Sequence, residues 1–358
     1  MYKSYIPFWR MNKWLQSLES RECIEFIDFA KGFSVLSVVF YHYLLGLVDN
    51  PWSHFISYGG FGVHMFVILS GFGLSLSSYQ SVQYFYRKRF SKILIPYYIF
   101  VSFVFLLNFR LPVYPNDGFY AWLGHTFFFK MFDERIVTSF GYYLWFISMI
   151  LQLYLVYPLL IRWYCRFGTY RFLGFVFGVS IAWLLGLSLL NLEATRVLNS
   201  AGFAFLWEFG VGIVLGKLFK EKEIIFWNIK NRLILLIGFL MGGILAAILS
   251  AKGGSLGFAL NMFPAAISFV SLTILTYSLL SSVTVFAKAR QGFVSIGQLS
   301  YELYLVHGLL VTIAVRYIFL NMSQAVIIGL NFLLVLPVAL FIAFLFSKLN
   351  SRLYRLFC

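Results

Sequence analysis

Among the side chains able to hold or move a proton, Lys31, His42, His64, Glu208 and His307 stand within long apolar runs of this sequence. An ionisable group in hydrocarbon surroundings is costly, so each is a candidate for proton transfer or for lining a polar passage. Lys31 and His42 are eleven positions apart. At about 100° per residue they fall within about 20° of one helix face, about 16 Å apart along the axis. Asp28 lies one turn before Lys31 and can pair with it. Imidazole is the side chain best matched to general-base work near neutral pH. Ser300, Tyr304 and His307 share one stripe at helical spacing. A basic run, Tyr86-Arg87-Lys88-Arg89 with Lys92, has the forked donors that clamp phosphate. Each feature also has a plainer reading. A lone histidine or glutamate can be a helix–helix hydrogen bond, and a basic run can set topology or meet anionic lipid heads.

The elements that must position these groups follow from composition. Of 358 residues, 61% are hydrophobic, 21% aromatic and 11% charged, against roughly 25% charged in a soluble domain. So little charge cannot clothe a water-exposed surface, and the apolar runs approach the roughly 20 residues that cross a bilayer as helix. The expected fold is therefore all-α and polytopic, with about ten transmembrane helices. The runs are 27–48, 59–79, 91–109, 142–162, 170–190, 202–219, 232–250, 257–281, 296–319 and 324–347. Alternating the connections puts 21 Lys and Arg on one side and 6 on the other, with Lys31 inside a span. The rich side is then cytosolic and holds both termini. That pattern explains the net charge of +15 by topology rather than by nucleic acid, which is not an expected partner.

The organisation expected is an N-terminal cytosolic segment at 1–26, a membrane unit at 27–347 and a tail at 348–358. Trp9 and Trp14 among basic residues read as a short interfacial helix or as a disordered tail. Cys23, Cys165 and Cys358 all fall on the reducing side, so no disulfide is expected, and no Cys/His spacing suggests a metal. On this topology His42, His64, His307 and Glu208 reach comparable depths in the outer half of the bilayer. One shared polar chamber is the expectation. The connection 110–141 is external and aromatic, either a belt segment or a lid.

Five segments, in order, resemble the acyltransferase 3 family of membrane-bound sugar and lipid O-acyltransferases. IDFAKGFSVLSVVFYH is similar to the family's first-helix motif that ends on its catalytic histidine, here His42; Lys31 stands where the family has arginine. GGFGVHMFVILSGF resembles the second, with His64 in place of an acid. YRKRFSKILIPYY resembles the basic RxR segment, matched by Arg87 and Arg89. YYLWFISMILQLYLVYPLL resembles a fourth, in which two adjacent acids are replaced by Ile150 and Leu151. SIGQLSYELYLVHGLLV is similar to the late signature, matching Ser300, Tyr301, Tyr304 and His307.

The resemblance implies acyl transfer, acetyl being the usual group, from cytosolic acyl-CoA to a hydroxyl of a surface or lipid-linked glycan, in a cell membrane. His42 would act as base, or carry the acyl group covalently. Lys31 would assist it, Arg87, Lys88 and Arg89 would hold the donor, and His64, Glu208, Ser300, Tyr304 and His307 would shape the substrate pocket. Many relatives carry an added extracytoplasmic domain, so a separate partner protein is a possible substitute. The competing class is a transporter or flippase for a lipid-linked saccharide, with the histidines as a proton relay.

Overall fold

The computed structural model describes residues 8–48, 52–77, 81–221 and 232–357. Among them every regular element is helical. The elements that position the site are α1 (Phe8–Leu44), α2 (Gly62–Leu76), α3 (Val82–Asn108), α4 (Phe119–Thr126), α5 (Trp145–Leu189), α6 (Leu206–Lys220), α7 (Arg232–Lys252), α8 (Met262–Ser282), α9 (Ala287–Gln298), α10 (Ser300–Ile313) and α11 (Leu336–Phe357). Over their described residues the ten apolar runs are largely helical. Among the described residues seven helical stretches, against the ten expected, are long and apolar enough to cross a membrane, and the chain is an all-α, polytopic membrane protein.

Local sequence sets the helix ends. Ser81 opens α3 with its hydroxyl accepting from the Tyr84 N–H at 3.1 Å, the usual N-cap device. The 45-residue α5 is two helices joined at Gly168, whose φ of 75° is a left-handed conformation that glycine adopts without a Cβ clash. The two runs 142–162 and 170–190 are thus separated by that one residue's backbone. The first helix continues unbroken from Phe8, so the boundary at 26 is not a break in structure; the side chains of Trp9 and Trp14 lie outside those described. At the other end, α11 runs on to Phe357, where a tail was expected from 348.

Two helix pairs meet backbone to backbone through glycine. A Cβ at Gly71 of α2 would overlap the Phe209 carbonyl, and one at Gly212 of α6 would overlap the Ile68 carbonyl. On α1 and α9, Gly32 faces the Phe293 carbonyl and Gly297 the Asp28 carbonyl in the same way. In a bilayer, where apolar surface gains little by leaving lipid, close approach through small residues is what holds helices together.

The connection 110–141 is neither a simple belt strand nor a loose flap. The Asn108 side chain accepts from Tyr114 N–H at 2.8 Å and donates to the Tyr114 and Asp117 carbonyls at 2.6 and 3.2 Å, closing its first turn. Asp117 accepts from the Phe140 N–H at 2.6 Å, which ties the end to the start. His125, fully buried on α4, joins Tyr97 of α3 at 2.7 Å and Ser139 at 2.9 Å. Lys130 is buried too, donating to the Leu144 and Val137 carbonyls at 3.3 and 3.5 Å. Burial pulls its ammonium down to about 7, with Asp117 opposing.

Two outcomes follow. Gly71→Ala and Gly212→Ala must part α2 from α6, and overpacking of this kind costs about 1–3 kcal/mol. Thermal unfolding of purified protein should show both losses, while Gly178→Ala, which meets open space, should leave the midpoint unchanged. Lys130 binds fewer protons folded than unfolded, so its presence favours folding more as pH rises from 7 toward 10. Lys130→Met removes that dependence. Its stability relative to the parent should therefore climb as pH falls from about 10 to 7 and level off below, in paired unfolding curves.

Candidate active site

Because α1 runs unbroken from Lys31 to His42, both side chains keep the one-face relation expected of them. Lys31 sits at the end of the bundle that also bears Lys88, Arg89 and Lys92, and its Nζ is 3.4 Å from Asp28 Oδ1. Gln298, at the end of α9, donates to the other Asp28 oxygen at 3.4 Å. Farther along α1, His42 Nδ1 lies 2.7 Å from His307 Nε2 of α10, with only 8° between the ring planes. His307 Nδ1 faces the Tyr304 and Leu303 carbonyls at 2.7 and 3.1 Å.

These contacts determine the tautomers. A carbonyl oxygen can only accept, so His307 Nδ1 carries the proton. With both rings neutral, His307 Nε2 is then an acceptor, and His42 Nδ1–H donates to it. The lone pair of His42 is left on Nε2. An orienting group that fixes one ring nitrogen and frees the other for proton abstraction is the arrangement a histidine base needs. Tyr143 and Tyr142 wall the pair, their rings 4.8 Å from His307 and 5.1 Å from His42. Tyr143 is itself held by donation to the Leu305 carbonyl at 2.8 Å, and Tyr304 donates to the Tyr143 carbonyl.

A cavity of about 800 Å³ opens at the basic end of the bundle. Lys31, Lys88, Arg89 and Lys92 stand at its mouth, and Ser300, Tyr304, Val38 and Phe146 are deeper. Its volume lies toward the upper end of the roughly 300–1,000 Å³ typical of small-molecule sites. Arg87 is not on this wall. It borders a smaller hollow with Lys88, Tyr84, Tyr354 and Arg355, because two positions along a helix turn a side chain by about 200°. The cavity ends one helical turn short of the imidazoles: Val38 and Tyr304 line it, four and three positions before His42 and His307.

The expected single chamber is instead two separate pairs. His64 Nδ1 of α2 meets Glu208 Oε1 of α6 at 2.7 Å, both buried. Among the described residues no direct hydrogen bond, ion pair or ring contact links this pair to His42 or His307, and neither His64 nor Glu208 lines the cavity. Depth along a helix was readable from sequence, but the direction each side chain faces depends on how the helices are rotated in the bundle. Ile150 and Leu151, in place of the family's two acids, are buried in apolar clusters.

Three contributions were not foreseen. The polar stripe Ser347, Asn350, Ser351 and Tyr354 of α11 lines the cavity; its helical spacing of three and four crosses the expected boundary between the last span and the tail. Tyr142 and Tyr143 lay inside a quoted motif without a role. Arg196, in the turn between α5 and α6, carries no local sequence signal.

The acyltransferase domain family matches residues 24–348, nine-tenths of the chain. The protein belongs to the acyltransferase 3 family. Comparison with curated proteins and with solved structures returns no match. As a family member it is a multi-pass membrane acyltransferase, and the histidine pair and the cavity are the parts of it suited to that chemistry.

Within the acyltransferase bundle, the His64–Glu208 contact joins α2 to α6. Removing one partner of a buried ionic or hydrogen-bonded pair strands the other and costs about 3–5 kcal/mol. His64→Leu, Glu208→Leu and the double variant should show a coupling of about 1–3 kcal/mol in unfolding measurements. Additive losses would mean that the two side chains do not stabilise each other.

Proposed function

We propose that this protein moves a short acyl group, acetyl in the simplest case, from cytosolic acyl-CoA to a hydroxyl of a surface or lipid-linked glycan. It would act in a cell membrane with ten crossings and both termini in the cytosol, the lipid bilayer being its constant partner. The observation that carries this reading is the cavity, which runs from a cationic mouth to within one helical turn of the His42–His307 pair. Arg89 and Lys88, with Lys92 and Lys31, would hold the donor's phosphates. Arg87 adds charge from the adjoining hollow. Ser300 and Tyr304 flank the arm.

The apolar turn between the cavity's end and His42 is about 5–6 Å deep. His42 Nε2 takes the proton of the acceptor hydroxyl as its oxygen attacks the thioester carbonyl. The new C–O bond forms, the C–S bond breaks, and the proton passes from His42 to the departing thiolate. His307 holds His42 in the reactive tautomer throughout. The site excludes bulk water, which protects the thioester from hydrolysis. A separate extracytoplasmic partner that delivers the acceptor fits this arrangement.

Purified protein incubated with labelled acetyl-CoA and a membrane-glycan extract should transfer label. His42→Ala should reduce transfer by about 10²–10⁴-fold with little change in thermal unfolding, and near-normal turnover in that variant would reject the base. Arg89→Ala should weaken CoA binding by about tenfold, the scale of one charge-assisted phosphate contact. Arg87→Ala should weaken it less. An unchanged CoA affinity in Arg89→Ala would reject the clamp.

A further inference from the structure

Arg196 begins the short turn Arg196–Asn199, at the opposite end of the bundle from the cationic mouth. Its backbone is anchored: the Glu134 carboxylate accepts from the Arg196 and Val197 N–H groups at 2.7 and 2.9 Å. Glu134 is therefore committed to the backbone. The guanidinium lies over the Trp145 ring, 4.6 Å from its centroid, and Trp145 is in turn packed against Phe205 at 5.6 Å. Among the described residues it has no hydrogen-bond acceptor and no ion pair of its own. Trp145 follows Tyr142 by three residues, and the Tyr142 ring is 5.1 Å from His42, which puts Arg196 at the histidine end of the bundle, where Tyr142 and the Glu134 carboxylate share its field.

A half-buried arginine held on one face by an indole can turn its remaining donors to an anion. The donor cannot supply that anion, because its phosphates belong at the other end of the bundle, beyond the roughly 16 Å of helix between Lys31 and His42. We propose that Arg196 binds a negatively charged group of the acceptor, a carboxylate or phosphate carried on the saccharide, and so places the neighbouring hydroxyl against His42. This rests on the reading of His42 as the base, but the site itself is a binding site with its own readout.

Equilibrium binding to the full-length protein in a nonionic detergent tests it, with glucuronate, glucose 1-phosphate and glucose as probes and no acyl donor present. At least one charged probe should bind about tenfold more tightly than glucose. The stronger of the two identifies the source: glucuronate points to an acidic sugar, glucose 1-phosphate to a phosphate-linked one. Arg196→Gln, which keeps both backbone bonds to Glu134, should abolish the preference, and Arg196→Lys, which keeps charge without the fork, should retain part of it. Equal affinity for charged and neutral probes in the parent would overturn the proposal, as would a preference that survives in Arg196→Gln. Because no turnover is measured, failure here leaves the base assignment standing, and inactivity of His42→Ala leaves this one standing.

Discussion

One hydrogen bond, from His42 of α1 to His307 of α10, organises the reactive end of this bundle. It joins residues 265 positions apart, so it exists only once the first and ninth apolar runs have packed. Its direction is dictated by the backbone of α10. The Tyr304 and Leu303 carbonyls require a proton on His307 Nδ1, which makes Nε2 an acceptor and turns the His42 lone pair outward. A helix thus programs the tautomer of a residue on another helix. The neutral imidazole does the orienting work that a carboxylate does in a triad, without placing a further charge in the bilayer, where an unpaired one is costly.

That arrangement requires α1 and α10 to stand in a definite rotation, and the glycine contacts supply it. Gly32 lies next to Lys31, and its contact with the Phe293 carbonyl, together with Gly297 against Asp28, presses α1 onto α9. Tyr301 then donates to the Ile93 carbonyl at 2.7 Å, tying α10 to α3 and hence to the basic cluster at its start. Small residues, buried tyrosine hydroxyls and backbone carbonyls therefore connect the cationic mouth to the imidazoles through one rigid assembly. No soluble-type core is needed, since lipid offers apolar side chains a solvent as favourable as each other.

The helical elements were legible because runs of apolar residues and clusters of cations obey simple lengths and a simple asymmetry. The His42–Lys31 alignment was legible because it depends only on the pitch of one helix. His64 with Glu208 was not separable from His42 with His307, since all four share a depth and only helix rotation sorts them into pairs. Arg87 and Arg89 looked equivalent in a basic motif, although their spacing of two already places them on different faces. Ser347, Asn350, Ser351 and Tyr354 were hidden by charge nearby that suggested a tail. Arg196 was one of six cations on the sparse side, and nothing local to its turn marks it. It gains meaning from Trp145 and Glu134, which are remote in sequence and adjacent in space.

The separation of charge from chemistry also constrains what kind of donor the bundle suits. Cations gather at the cavity mouth, and the base lies beyond Ser300, Tyr304 and an apolar turn. A compact acyl phosphate could touch one end or the other but not both. A donor whose phosphates are joined to its reactive carbonyl by a long, flexible and largely uncharged arm can be gripped at the mouth while its thioester reaches the imidazole. Binding energy from the phosphates is then realised far from the reacting atoms and can hold them in place through the transition state. The aromatic wall of Phe146, Tyr143 and Tyr304 lies between the two ends, so the arm must displace any water there before reaction. On the proposed reading the basic cluster and the first-helix histidine would contact two ends of one donor.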